Sequence, residues 1–427
     1  MPPSRSLLHH PDFLKLWLGQ AISEFGTRIT RDGLPFAAVY MLGATPTQMG
    51  LLSAVAAAPV LLLSLLAGVW VDRLRRRPVM IGADVTRALW LTTIPLAALL
   101  GQLRLELLFV VVALNGVFTL FFDVAAQAYL PSLVEREQIV EGNSKLGLSA
   151  STAELLGPGL AGVLIQTITA PIAICFDALS FLVSAASVWL IRKTEPAPPS
   201  LTTQSHLGRE IIEGVRMASG NRYLRALAGS AAILSFFGNF IGALYALYVV
   251  RELGFGAAWL GLTITMGGLG SLIGALLAAR LVRRLGLGAT CIGMVWGMGV
   301  GVWFIPLASA APDSPMFALM CLMISQLFGD AARTIYFIND ASLRQTITPD
   351  ALLGRVNAAL QLLTAGVAPL GAIIGGVLGE RIGIGATLAL AGCGAFLASL
   401  WLIASPIRAL RVMPRVGAGG QETGDKG

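Results

Sequence analysis

The sequence predicts an all-α membrane protein whose twelve transmembrane helices form two pseudo-symmetric six-helix halves, and three observations lead there. Only 12% of the 427 residues are charged, about half the share found in a soluble domain, while 56% are apolar. Apolar runs recur at the roughly 20-residue length that a bilayer core demands. Short motifs of the first half return in the second at nearly constant offsets. This composition excludes a water-soluble globule. It also excludes disorder, because there is ample apolar surface to bury, and the 49 glycines suit closely packed membrane helices.

Span 1 is read over residues 13–42 and holds Glu24, Arg28, Arg31 and Asp32 within its apolar run. Those charges, with no small-residue cleavage site behind a short apolar core, exclude a removable signal peptide. Spans 2 (47–71) and 3 (78–101) flank a basic loop with Arg73, Arg75, Arg76 and Arg77, and span 3 carries Asp84 and Arg87. Span 4 (105–134) places Asp123 and Gln127 on one face; span 5 (140–168) has Glu154 one turn before Gly157-Pro158; span 6 (171–191) contains Asp177. After KTEPAPPSLTTQS, the densest Pro, Ser and Thr cluster of the chain, Ile211, Ile212, Val215 and Met217 alternate with Arg209 and Arg216 as in a short amphipathic surface helix. Spans 7 to 12 follow at 223–250, 257–282, 287–310, 315–346, 351–379 and 383–406, with Asp330 and Arg333 in span 10. The expected organisation is an N-terminal half (1–192), a linker (193–222), a C-terminal half (223–411) and a Gly-rich tail (412–427).

With both termini in the cytoplasm, 23 of the 30 Lys and Arg residues fall on the inner side. Three, Arg104, Arg251 and Arg381, fall outside, and Arg28, Arg31, Arg87 and Arg333 lie within spans. This bias sets the orientation and accounts for the net charge of +7 without a nucleic-acid partner. The offsets between halves agree. Asp72-Arg73 with Arg76 and Arg77 align with Ala279-Arg280, Arg283 and Arg284 at a shift of 207, QMGLLS with WLGLTI at 211, and REQIVEGN with DALLGRVN at 214. Two such repeats place a substrate site near the bilayer midplane between halves. Cys175, Cys291, Cys321 and Cys393 sit in apolar runs without CxxC spacing, as buried small hydrophobes do, so neither a metal nor a cofactor is expected.

The segment Gly68-Val-Trp-Val-Asp72-Arg73-Leu-Arg-Arg76-Arg77-Pro78 is similar to the GxxxDRxGRR/K loop of the major facilitator superfamily, with Arg75 in place of the second glycine. The resemblance implies an inner gate in which Gly68 permits close helix approach, Asp72 caps or pairs, and Arg73, Arg76 and Arg77 sit at the headgroups. For Asp84 and Arg87, near the inner end of span 3, and Asp177 in span 6, which resemble subgroup features rather than this loop, an inner-gate or packing role is expected. Leu156-Gly157-Pro158-Gly159-Leu160-Ala161-Gly162 resembles the GPxxGG element of its antiporter branches, which implies that Gly157, Pro158 and Gly162 form a close-packed gate against span 8. The opening HPDFLKLWLGQAISEFGTRITRDGLP, the stretch ADVTR in span 3 and FDALSFLVSA in span 6 look like the subgroup of macrolide exporters and the enterobactin exporter. Span 4, LNGVFTLFFDVAAQ, lacks the Arg that many drug:proton antiporters carry there.

Ionisable groups in hydrocarbon are costly, so those within spans are the functional candidates. Glu24, Arg28 and Asp32 at i, i+4 and i+8 share one helical face, where Arg28 either switches between carboxylates as protons arrive or forms a static pair. Glu154 has no local partner; Asp123 and Gln127 lie nearer the cytoplasm; Asp330 and Arg333 at i and i+3 can close on each other. Aromatics on spans 1, 4, 7 and 10, among them Phe36, Tyr40, Phe121, Phe122, Tyr245, Tyr336 and Phe337, either line a cavity or pack. No phosphate-binding GxxxxGK[ST] loop occurs, so an ion gradient is the expected energy source. The expectation is a non-enzymatic, monomeric, multi-pass plasma-membrane transporter of a hydrophobic or amphiphilic small molecule in exchange for protons. Export of an endogenous metabolite such as a siderophore, and a non-transporting sensor or scaffold, are the alternatives.

Overall fold

The computed structural model describes residues 7–195 and 207–414; the side chains of residues 65, 69, 72, 207–212, 350 and 351 are outside the described set. Within it the chain forms α1 (Pro11–Tyr40), α2 (Pro46–Arg73), α3 (Arg76–Leu99), α4 (Leu105–Leu133), α5 (Ile139–Ile168), α6 (Ala170–Trp189), α7 (Leu207–Gly220), α8 (Arg222–Leu247), α9 (Ala257–Leu285), α10 (Leu287–Leu307), α11 (Pro315–Ile347), α12 (Asp350–Arg381) and α13 (Ile384–Ile403). No strand occurs among the described residues. All but the 14-residue α7 reach 20 residues.

Ten of the helices are long and apolar enough to cross a membrane. The other two long ones, α1 and α3, have the length but carry charge: Asp12, Lys15, Glu24, Arg28, Arg31 and Asp32 in the first, Arg76, Arg77, Asp84 and Arg87 in the second. Helix starts follow local chemistry. Thr45 and Gln48 form a reciprocal capping box before α2, and Ser314 accepts the Phe317 amide at the start of α11.

The described residues fall into two compact units, 7–195 with Tyr245–Thr265, and 207–244 with 266–414. In the first, α1 packs on α5 and α6, α3 on α4 and α6, and α2 on α4. The second repeats that scheme: α8 meets α12 and α13, with Phe236 against Gly371 and Phe237 against Gly394, α10 packs on α11 and α13, and α9 meets α11 through Gly270. The repeat extends to backbone detail. Thr169, between α5 and α6, and Gly383, between α12 and α13, share nearly one conformation (φ 83°, ψ 153° and φ 89°, ψ 154°); they are related by the 214-residue shift. Leu7, Phe13, Leu16, Met80, Tyr129 and Leu133 form a core at one end of the first unit. Leu287, Val295, Tyr336, Leu343, Leu402 and Ile407 form one in the second.

The amphipathic helix expected before span 7 is α7, in the second unit. Residues 196–206 and 415–427 lie outside the described residues, as do the side chains of Arg209, Ile211 and Ile212. α7 packs on α12, its Gly214 against the Arg355 backbone, and Glu213 pairs with Arg355 at 2.5 Å.

Candidate functional site

Among the helices of the first unit, α1 carries the most charged residues, Asp12, Lys15, Glu24, Arg28, Arg31 and Asp32. Three glycines one heptad apart, Gly19, Gly26 and Gly33, seat this helix on α6. A Cβ at Gly26 would meet Asp177 Oδ1 at 2.6 Å, and one at Gly33 would touch Ile174 at 3.4 Å. With that face closed, Arg28 is turned toward α5. Its Cβ and Cγ lie over Gly157, where an added Cβ would meet them at 2.7 Å, and its guanidinium reaches Glu154 at 3.6 Å. Glu154 thus has a partner, supplied by another helix. That separation exceeds a hydrogen bond, and the Glu154 side chain is 62% exposed, so the pair is weakly held. Asp32, one turn past Arg28, keeps a buried Oδ2 with no hydrogen-bond partner; the cationic groups acting on it are Arg31 and Arg28. Glu24 is half-buried and Arg31 exposed. The helical spacing places the three groups as expected, but Arg28 pairs across helices rather than with Glu24 or Asp32.

The antiporter-like element of α5 works on two sides. Gly157 makes room for Arg28, while Pro158, lacking an N–H, leaves the Glu154 carbonyl without its usual helical donor. One turn on, Gly162 meets α9: a Cβ there would lie 2.5 Å from the Ala257 carbonyl oxygen and 3.1 Å from Gly261 Cα.

A second cluster is fully buried where α3, α4 and α6 meet. Asp84 (0% exposed) and Arg87 (3%) form an ion pair. The guanidinium carbon lies 4.0 Å from the Phe181 ring centroid and 4.6 Å from that of Phe122, a cation–π sandwich, and NH1 donates to Thr119 Oγ1 at 3.4 Å. Asp177, also fully buried, accepts from Ser180 Oγ at 3.1 Å. Asp123 and Gln127 are exposed on α4, and the charges that reach Asp123 are Arg87, Glu24 and Asp84. The aromatics divide. Phe122, Tyr245, Tyr248 and Tyr336 are buried in packing, whereas Tyr40 (73%) and Phe337 (45%) are exposed.

The basic loop between α2 and α3 departs from a simple headgroup anchor. Glu195 accepts the amides of Arg76 at 2.7 Å and Arg77 at 3.1 Å, capping α3 with a carboxylate, where the helix dipole favours one. Arg77 donates to the carbonyls of Val188 and Trp189 at the end of α6. Arg73 and Arg75 are exposed. Among the described residues, a Cβ on Gly68 would meet nothing within 4 Å; the Asp72 side chain lies outside the described residues. In the second unit, Asp330 and Arg333 pair at 3.4 Å, and Asp330 faces Gly267 of α9.

A profile of the major facilitator superfamily matches residues 16–361. The chain belongs to the major facilitator superfamily. It is 26% identical to the multidrug efflux pump Tap of Mycolicibacterium fortuitum over 77% of this chain and 80% of the relative. It is 23% identical to macrolide efflux protein A of Streptococcus pyogenes over 89% and 92%. Among solved structures, a bacterial homologue of the iron transporter ferroportin in an inward-facing state aligns with a TM-score of 0.73 at 20% identity, covering 94% of this chain and 99% of that one. The nucleoside transporter NupG aligns at 0.74 and 11% identity, covering 92% and 98%. At these identities the structural likeness is one of fold. The chain is therefore a multi-pass membrane transporter of the major facilitator superfamily with efflux pumps among its relatives.

Several residues that matter here escaped the sequence reading. The Gly19, Gly26, Gly33 heptad was visible as spacing. Asp340 is buried in α11, 3.0 Å from Arg344 at i+4, a pair that spacing alone could have flagged. Asp12 and Glu195 had no such signal, because each acts on backbone amides distant in the chain: Asp12 accepts those of Arg192 and Lys193 at 3.2 and 2.9 Å.

Proposed function

We propose that this superfamily member exports a hydrophobic or amphiphilic small molecule in exchange for protons by alternating access, with α1 and α5 carrying the coupling. The observation behind this reading is the pairing of Arg28 with Glu154 across Gly157, beside an Asp32 whose Oδ2 is buried without a partner. A loosely held guanidinium between carboxylates exchanges partners as protons bind and leave: neutralising Glu154 frees Arg28 for Asp32, and the reverse. Gly162 on Gly261 supplies a close-packed contact of the kind that gates access. The names of the relatives, efflux pumps for several drugs and for macrolides, support an amphiphilic cargo and the outward direction. The working unit in this reading is a monomer with both termini in the cytoplasm.

The test is proteoliposomes with an imposed pH gradient and a panel of amphiphilic drugs, read by substrate-driven proton movement. Glu154→Gln and Asp32→Asn are expected to reduce that movement sharply while leaving the protein folded. Full proton movement in both variants would sink the coupling role of α1. Drug transport that persists without any gradient would instead overturn proton exchange itself.

A further inference from the structure

The two repeats face one structural problem at corresponding places, and one solves it with a carboxylate, the other with main-chain carbonyls. In the first, the leading amides of α3 are taken by the Glu195 carboxylate, which also lies 3.6 Å from the Arg76 guanidinium, and Arg77 is spent on carbonyls at the end of α6. In the second, the leading amides of α10 are taken by main-chain carbonyls: Leu287 N donates to Arg411 O at 3.2 Å and Gly288 N to Leu410 O at 2.8 Å. The position 214 residues after Glu195 is Ala409, flanked by Arg408 and Arg411. The segment that delivers an anion in the first repeat therefore delivers cations in the second.

Those cations arrive beside others. Arg283 and Arg284, aligned in sequence with Arg76 and Arg77 at the shift of 207 but placed at the end of α9 rather than the start of α10, come immediately before the Gly286 turn (φ 85°), where a Cβ would lie 3.3 Å from Arg411 Cα. All four arginines are exposed. None has a carboxylate partner among the described residues. Two exposed apolar side chains interleave with them, Leu285 (56%) and Val412 (73%), the mixture that suits the boundary between acyl chains and headgroups.

We propose that Arg283, Arg284, Arg408 and Arg411 bind the phosphodiester headgroup of an anionic phospholipid, with Leu285 and Val412 against its acyl chains. The bound phosphate places beside α10 the negative charge that Glu195 places beside α3, while the leading amides of α10 stay with the Leu410 and Arg411 carbonyls. Guanidinium forks match phosphate oxygens in pairs, and the carbonyl clamp on α10 fixes the backbone at Leu410 and Arg411. Zwitterionic lipid carries no net charge to compensate four cations and is not the ligand.

The experiment titrates the full-length protein in neutral detergent with phosphatidylglycerol, phosphatidylcholine or inorganic phosphate, counting retained lipid by native mass spectrometry and following thermal unfolding. Wild-type protein is expected to retain phosphatidylglycerol and to gain thermal stability from it, with no comparable effect of the other two. The variant R283Q/R284Q/R408Q/R411Q should lose retained phosphatidylglycerol by roughly ten-fold or more, while R136Q/R216Q, equally exposed but elsewhere, should not. Because the four-fold variant risks misfolding, R408K/R411K is measured as well and should keep most of the binding. Equal retention in the Gln variant and the wild type overturns the site. Inorganic phosphate matching the lipid's stabilisation overturns the lipid as its ligand.

Discussion

Two arginines of the first unit show how context decides what a charge does. Arg87 is enclosed by Phe122 and Phe181 and joined to a fully buried Asp84, so removing its carboxylate would strand a cation in an apolar interior. Asp84→Ala is expected to destabilise the protein by about 3–5 kcal/mol, read as a lower unfolding temperature in detergent. Asp84→Ala with Arg87→Met should recover much of that loss. Arg28 is different: its partner Glu154 is 62% exposed and 3.6 Å away, so Glu154→Gln should cost much less stability than Asp84→Ala while sharply reducing proton-coupled transport. A Glu154→Gln variant that is both unstable and fully coupled would reverse the two assignments. The candidates were legible from sequence because charges in apolar runs stand out. Their partners were not: Arg28 was readable only against Glu24 and Asp32, since the approach to Glu154 depends on the room that Gly157 leaves between two helices.

At the scale of the element, the ends of helices carry information that apolar periodicity does not. Thr169 holds φ 83° and ψ 153°, a region essentially reserved for glycine, at a cost of order 1–3 kcal/mol, while its repeat counterpart Gly383 does so freely. Thr169→Gly is therefore expected to raise stability by about 1 kcal/mol, measured by thermal unfolding; a fall would mean that the threonine side chain makes a contact worth more than the strain. The start of α1 is held by Asp12, which accepts from Lys15 at 2.7 Å and from the Arg192 and Lys193 amides after α6. Burial works to raise its pKa, but the Lys15 bond, those two amides and the Lys15 charge outweigh it and hold the carboxyl below its ordinary value. A depressed carboxylate stabilises the fold above its unfolded pKa, near 3.9, and that contribution is lost as pH falls through the lower folded value. Asp12→Asn should therefore lower stability at neutral pH and flatten the acid limb of a stability-against-pH curve below about pH 4; an unchanged acid limb would remove Asp12 from that role. Span positions were legible because a bilayer imposes length and hydropathy. These end contacts were not, because Asp12 and Glu195 reach amides that only the folded chain brings near.

For the whole molecule, the argument rests on where charge sits rather than how much there is. A net charge of +7 on a soluble chain would invite a polyanionic partner, but on this chain the basic residues mark loops and helix ends, and the two repeated units explain why they return at regular intervals. Within that pattern Arg136, in the short helical turn before α5, and Arg104, before α4, are both exposed and stand at opposite ends of α4. The positive-inside bias assigns Arg136 to the cytoplasm and Arg104 to the outside. With Cys175, Cys291, Cys321 and Cys393 replaced, Arg104→Cys is expected to react with a membrane-impermeant maleimide in intact cells, and Arg136→Cys only after permeabilisation. Because α4 is long and apolar enough to cross the bilayer once, the two positions must answer oppositely whichever way the chain is inserted. Labelling of both in intact cells would contradict the span itself. Labelling of Arg136→Cys alone would keep the fold and invert the orientation, and with it the direction in which any bound cargo is released.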